Sequence, residues 1–224
     1  MDQPVSDLSD VRAVVFDFDL TLADSRLGFI ASHDFASREL GLSQPAQEAV
    51  EQTIGTPLHI AVPRLHGDAV LPVLDEYLRT YQARADEVMT SLTTMLPGAA
   101  DAVGRLHAAG FRLAIVSQKL RYRVEDVLRR EHLLGLFGAV LGGEDLPDFK
   151  PDPRGLLLAI AKLRTSPAAS LYTGDTVIDA ETSRRAGVRF VALLTGATFS
   201  EALEEYQPVA VLPSVAALAD RLGA

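Results

Sequence analysis

The chain has no cysteine and no tryptophan among its 224 residues, and only nine phenylalanines and five tyrosines. Without thiols there can be neither disulfides nor thiolate metal sites, so any metal must be held by oxygen or imidazole. No apolar stretch approaches the roughly 18 residues of a membrane span. The first dozen residues carry acids and no long apolar core, which does not read as a secretory signal. Cations are also scarce: 21 Lys and Arg against 30 Asp and Glu give a formal charge of -9, which argues against a nucleic-acid-binding surface. The cationic run Arg121, Arg123, Arg129 and Arg130 reads as the exposed side of a helix. Internal repeats and low-complexity segments are absent. A soluble cytoplasmic protein, monomer or homodimer, with neither nucleic-acid nor membrane partners, is the expectation.

What is present is an alternation of strand-like and helical patterns. Apolar runs near residues 12–17, 111–116, 138–141, 169–173, 188–194 and 209–212 alternate with helical periodicities near 98–109, 121–133, 153–164, 177–186 and 214–222. That order predicts a parallel sheet covered by helices on both faces, an α/β doubly wound, Rossmann-like core. The near-continuous Ala13-Val14-Val15-Phe16 and Leu113-Ala114-Ile115-Val116 suit strands buried on both sides. Residues 24–94 break the pattern, with helical periodicities near 28–41, 45–54, 57–66 and 70–92 and little that reads as strand. They form an all-helical insertion in a core split into 1–23 and 95–224.

Four polar clusters follow apolar runs or lie in connecting loops. In Phe16-Asp17-Phe18-Asp19-Leu20-Thr21, two carboxylates at i and i+2 follow the first strand; side chains at that spacing share a face, and their mutual repulsion raises one pKa unless a cation intervenes. Ser117, Gln118 and Lys119 follow the second strand and precede a helix, an arrangement that suits an anion. Lys150 lies in Phe149-Lys150-Pro151-Asp152-Pro153, a proline-stiffened loop. Asp175 and Asp179 follow Thr173-Gly174, four residues apart, and would share a face if the helix started there, forming a shelf for magnesium. Taken singly, each has a plain structural reading: a polar turn, an N-cap, a solvated loop charge, or acids favoured by a helix dipole. In an open parallel sheet the ligand crevice lies beyond the carboxyl ends of the strands, where Asp17, Ser117 and Asp175 all fall.

In that order, the four clusters resemble the four motifs of the haloacid dehalogenase-like hydrolase superfamily over nearly the whole chain, with Gly174 to Gly187 similar to the fourth motif. The resemblance implies a cap domain at 24–94 acting as a lid over the crevice, and a phosphatase mechanism. Asp17 would be the nucleophile, Asp19 the acid/base, and Thr21 the group orienting their loop. Ser117, Gln118 and Lys150 would bind the transferring phosphoryl group. Mg2+ would be held by Asp17, the Asp19 backbone carbonyl and Asp175, with Asp179 behind. Leu20 stands where the family most often has glycine, and Gln118 where asparagine is frequent. The helical insertion and Ile54-Gly55-Thr56-Pro57-Leu58 look most like phosphoglycolate phosphatases, which implies a small phosphorylated metabolite as substrate. His59, Arg64, His66 and Arg26 are further candidates to meet a substrate carboxylate, although a solvated helix face explains the first three as well. Alternatives within the same motif set are a phosphomutase, a pyrophosphatase and an idle phosphate-binding regulator. The presence of Asp19 disfavours dehalogenation.

Overall fold

The computed structural model describes residues 8–198 and 200–224, so the first seven residues of the expected 1–23 segment lie outside the described residues. The chain forms two compact units, Met1–Ala23 with Met95–Ala224, and Asp24–Thr94. None of the described helices is long and apolar enough to cross a membrane.

In the first unit, strands β1 (Ala13–Phe16), β4 (Arg112–Val116), β5 (Phe137–Leu141), β6 (Ser170–Gly174), β7 (Arg189–Leu193) and β8 (Ala210–Leu212) form one sheet in the order β5-β4-β1-β6-β7-β8. All neighbouring pairs are parallel, with Val14 opposite both Leu113 and Leu171. Alternation divides each strand between two cores. Val14 and Phe16 join residues of α5 (Ala99–Ala108), α6 (Arg121–Arg130) and α10 (Val215–Arg221), while Ala13 and Val15 join α7 (Arg154–Lys162), α8 (Val177–Ala186) and α9 (Ser200–Glu204). The six expected strands and five expected helices of this unit all occur. Two features carried no readable pattern, the five-residue α9 and the pairing of two-residue strands β2 (Ala23–Asp24) and β3 (Thr94–Met95), because neither is long enough to show a period.

The second unit is helical: α1 (Arg26–Glu39), α2 (Gln47–Glu51), α3 (Leu58–His66) and α4 (Leu74–Leu92). The helix expected over 45–54 contracts to α2. The one expected over 70–92 is preceded by a 3-10 stretch, Gly67–Val73, whose Pro72 lacks the N–H that a longer α-helix needs. Tyr77, Tyr81, Val62 and Met89 are buried in its core, and Met89 packs so closely on Gly28 that a Cβ there would come within 2.6 Å of its sulfur.

This core contains a polar knot. The Tyr77 hydroxyl lies 2.9 Å from His33 Nδ1, 3.1 Å from His66 Nε2 and 3.2 Å from Ser37 Oγ, and Ser37 donates to the His33 carbonyl at 2.8 Å. One hydroxyl carries one hydrogen, so at least one imidazole donates its N–H to Tyr77. Burial, with the neighbouring His66 adding to it, drives the His33 pKa down to about 3, and burial also pushes the Tyr77 phenol up to about 12. An unfolded histidine takes up its proton near 6.5 whereas folded His33 does not, so the stability of the neutral form is complete above about pH 6.5 and is lost as pH falls toward 3. We expect about 1.4 kcal/mol to be lost per pH unit across that window, seen as faster amide exchange in α1 and α4 at pH 5.5 than at pH 7.5 after correction for intrinsic rates. Equal protection at both would contradict a buried neutral His33.

Candidate active site

Three neighbouring strands end beside one another and deliver the polar clusters. Asp17 directly follows β1, and its backbone N–H donates to the Thr173 carbonyl of β6 at 2.9 Å. Ser117 follows β4, with its N–H bonded to the Leu141 carbonyl of β5 at 3.0 Å. Asp175 follows β6. All three side chains are buried, as are Asp19, Thr21, Lys150 and Asp179.

Lys150 is at the centre of the cluster. Its ammonium lies 2.9 Å from Asp17 Oδ1 and 2.7 Å from Asp179 Oδ1, and donates to the Tyr172 hydroxyl at 3.2 Å. Asp179 also accepts from Tyr172 (2.7 Å) on Oδ1 and from the Thr176 hydroxyl (2.5 Å) and backbone N–H (3.2 Å) on Oδ2. Thr176 is the N-cap of α8, and it and Asp179 form a reciprocal capping box. Here the structure differs from the helical spacing argument: α8 begins at Val177, so Asp175 precedes the helix while Asp179 is its third residue. The two carboxylates converge because a turn folds back, not because they share a helical face. That turn requires glycine, since a Cβ on Gly174 would meet the Asp179 carboxyl carbon at 2.5 Å.

The electrostatics follow from burial. Desolvation lifts Asp17 to about 7 against the pull of Lys150, with Asp179 raising it further. Asp175 is raised well above the carboxylate range by burial and then by Asp179 and Asp17, opposed by the hydrogen bond that Thr21 Oγ1 donates to its Oδ1 at 2.7 Å. Burial pulls Lys150 down, and the two aspartates more than reverse it, leaving the ammonium well above its ordinary pKa. The site therefore holds a firm cation among carboxylates that resist ionising together.

Oxygens of Asp17, Asp175 and Asp179 lie within 4.8 Å of one another. An all-oxygen, buried donor set suits a hard divalent cation such as Mg2+. Asp179 is already engaged by three donor residues, Lys150, Tyr172 and Thr176, which marks it as the support and the other two as the candidate ligands. Asp19 is not among these three, and its carboxylate pairs with Lys119 at 2.7 Å.

Ser117 is not an N-cap, a place taken by Leu120, and its Oγ instead accepts from the Lys119 N–H at 3.2 Å. Gln118 is half-buried in the same loop. Leu20 adopts φ 59°, the left-handed region, which explains why a glycine suits this position. His59 and Arg64 are exposed on α3, and Arg26 is ion-paired to Asp24 at 2.5 Å. The expectation that Arg123 lies on the exposed side of its helix is corrected: it is 4% exposed, whereas its neighbours in the run carry their charges to solvent. Its position on the helix places it with Val124 and Val127 on the buried side, and its charge opposes that of Lys119.

Sequence reasoning did not pair Lys119 with Asp19 and gave no part to Tyr172, Thr176 or Gly196. Thr176 preceding a helix by one residue was a capping signal in plain view. Gly196 carried none, yet a Cβ there would fall 1.9 Å from Asp175 Oδ2, so only glycine allows this loop to pass behind that carboxylate.

A family model described as haloacid dehalogenase-like hydrolase matches residues 14–193. The chain is 31% identical over 235 residues to the phosphoglycolate phosphatase of Shigella dysenteriae, covering 96% of this chain and 93% of that one. It is 30% identical over 237 residues to the phosphoglycolate phosphatase of Salmonella typhimurium, covering 96% and 94%. Among solved structures, one from Bacteroides fragilis assigned to the haloacid dehalogenase-like hydrolases superposes with a TM-score of 0.88 at 32% identity, covering 93% of this chain and 99% of that one.

Proposed function

We propose that this chain, which belongs to the haloacid dehalogenase-like hydrolase family, is a magnesium-dependent phosphatase that hydrolyses a small phosphomonoester, phosphoglycolate foremost, through an aspartyl-phosphate on Asp17. The observation that carries the reading is the buried convergence of Asp17, Asp175, Asp179 and Lys150 at the carboxyl ends of adjacent strands. The choice of phosphoglycolate rests on the names of the curated relatives.

Asp17, Asp175 and the Asp19 carbonyl would hold Mg2+, with Asp179 behind, and the bound ion would supply positive charge against the repulsion between carboxylate and phosphate. Asp17 attacks phosphorus in line while Asp19 gives a proton to the departing oxygen. Water then attacks the same phosphorus, Asp19 takes its proton, and the bond to Asp17 breaks. Lys150 and the Ser117 hydroxyl stabilise the charge spread over the phosphoryl oxygens. Every one of these residues belongs to the unit Met1–Ala23, Met95–Ala224.

Phosphate release from phosphoglycolate, sugar phosphates, nucleotides, pyrophosphate and an aryl phosphate tests the reading. Release that stops with chelator, returns with magnesium and is most efficient for phosphoglycolate is the expected result. No release from any of them would overturn it. The metal site has a readout independent of turnover. Asp17 and Asp175 are raised above their unfolded values, so the stability that goes with their neutral forms is present below about pH 4 and is lost as pH rises, through about 7 for Asp17. A cation that binds the ionised carboxylates offsets that loss, so magnesium should raise the unfolding temperature more at pH 8 than at pH 5.5. An equal or absent shift at pH 8 would argue against the site.

A further inference from the structure

We propose that Lys119 is a positioning residue for Asp19, holding one carboxylate oxygen so that the other exchanges the proton with the leaving group and with water. The inference rests on the phosphatase reading above. Lys119 lies in the loop after β4, next to β1, whose following loop carries Asp19. Its main chain is pinned on both sides: its N–H donates to Ser117 Oγ at 3.2 Å and its carbonyl accepts from the Gly143 N–H at 3.0 Å. The ammonium donates to Asp19 Oδ1 at 2.7 Å and lies 5.9 Å from the centre of the Phe18 ring, and the two charged side chains are 2% and 6% exposed.

A buried ion pair is a poor device for stability, since removing two charges from water costs about what their attraction returns. What this one achieves is orientation. A free aspartate rotates about two bonds, whereas a carboxylate held through Oδ1 presents Oδ2 in one direction. An oxygen that accepts from an ammonium does not carry the transferable proton, so the exchange is confined to Oδ2. In the first step that proton passes to the ester oxygen as its bond to phosphorus breaks. In the second, Oδ2 takes a proton from the water that becomes part of orthophosphate, and the carboxyl returns to its starting state.

A positioning role predicts selectivity by leaving group. An alkyl phosphate needs its departing oxygen protonated, while p-nitrophenyl phosphate expels a stable anion without help. In Lys119→Met, kcat/KM for phosphoglycolate should fall about 10²-fold, the lower end of general-acid effects, and that for p-nitrophenyl phosphate by less than about tenfold. Lys119→Arg should recover most of the loss. Asp19→Asn should show the same selectivity, and adding Lys119→Met to it should cost less than about threefold more, because the two act through one group. If Lys119→Met does not fold, Lys119→Gln, which keeps an N–H donor and loses the charge, carries the same comparison, and the double variant lacks the unpaired charge altogether. Equal losses on both substrates would assign Lys119 to the phosphoryl group or to the fold and overturn the proposal while leaving the phosphatase reading intact. A wild-type protein that hydrolyses neither substrate would instead overturn that reading, and this proposal with it.

Discussion

Asp17→Asn should lower turnover by roughly 10⁴-fold or more, the scale of losing a nucleophile for which nothing else substitutes, and should leave the protein at least as stable in the absence of metal. The second half of this expectation comes from electrostatics. Burial already penalises ionised Asp17, lifting it to about 7, so a neutral near-isostere removes a strained charge. Lys150 keeps Asp179 at 2.7 Å and is not stranded. Phosphate release from phosphoglycolate with magnesium, read beside the unfolding temperature in chelator at pH 8, checks both halves. Residual activity above a few per cent would remove Asp17 from its role. A large fall in unfolding temperature would mean that its carboxylate stabilises the core.

Lys150→Met should have the opposite effect on stability while also ending turnover. Its ammonium is 2% exposed and stands between two carboxylates that are themselves 3% and 0% exposed. Removing it leaves those acids without their cation, a change that costs about 3–5 kcal/mol in buried pairs, and a chain of this size should lose on the order of 10 °C in unfolding temperature. Turnover should fall at least about 10²–10³-fold, the measured scale for deleting one group that stabilises transition-state charge. The double variant Asp17→Asn/Lys150→Met separates the two effects: with one carboxylate gone as well, part of the lost stability returns, while activity does not. An unfolding temperature for Lys150→Met within about 2 °C of the wild type would show that the acids do not need the lysine, and the electrostatic account of the cluster would have to be abandoned.

How much of this was open to reading from the chain varied with the length of the signal. Runs such as Leu113-Ala114-Ile115-Val116 declare a buried parallel strand, because only apolar side chains can point both ways from a sheet covered on two sides. The polar residues immediately after such runs, Asp17, Ser117 and Asp175, were readable for the same reason, since the strand's direction fixes where its end points. The pairing of Lys119 with Asp19 was not legible, because nothing in a Ser-Gln-Lys string says which way a long flexible side chain turns. Its partner is 100 residues earlier. Tyr172 sits inside an apolar strand, where the pattern does not mark its hydroxyl, yet that hydroxyl reaches Asp179 and Lys150. Arg123 misled for the complementary reason: four arginines in ten residues suggest a wet surface, and helix geometry sent one of them inward. The helical periodicities of the second unit were legible, but its central tyrosine–histidine knot was not, since it joins residues of α1, α3 and α4 that are far apart in the chain.

Leu20 gives the loop between Asp19 and Thr21 a character that a glycine would not. A glycine reaches φ 59° without strain, but it reaches many other backbone states as readily. Leucine resists that conformation by roughly 1–2 kcal/mol, and its side chain, 3% exposed, is what keeps it there. The turn that follows Asp17 and Asp19 is therefore restrained by a buried apolar side chain instead of being permitted by an unhindered backbone. Its order is tied to the burial of that one side chain, so a substitution that shortened it would free the turn while leaving the strands of the sheet in place.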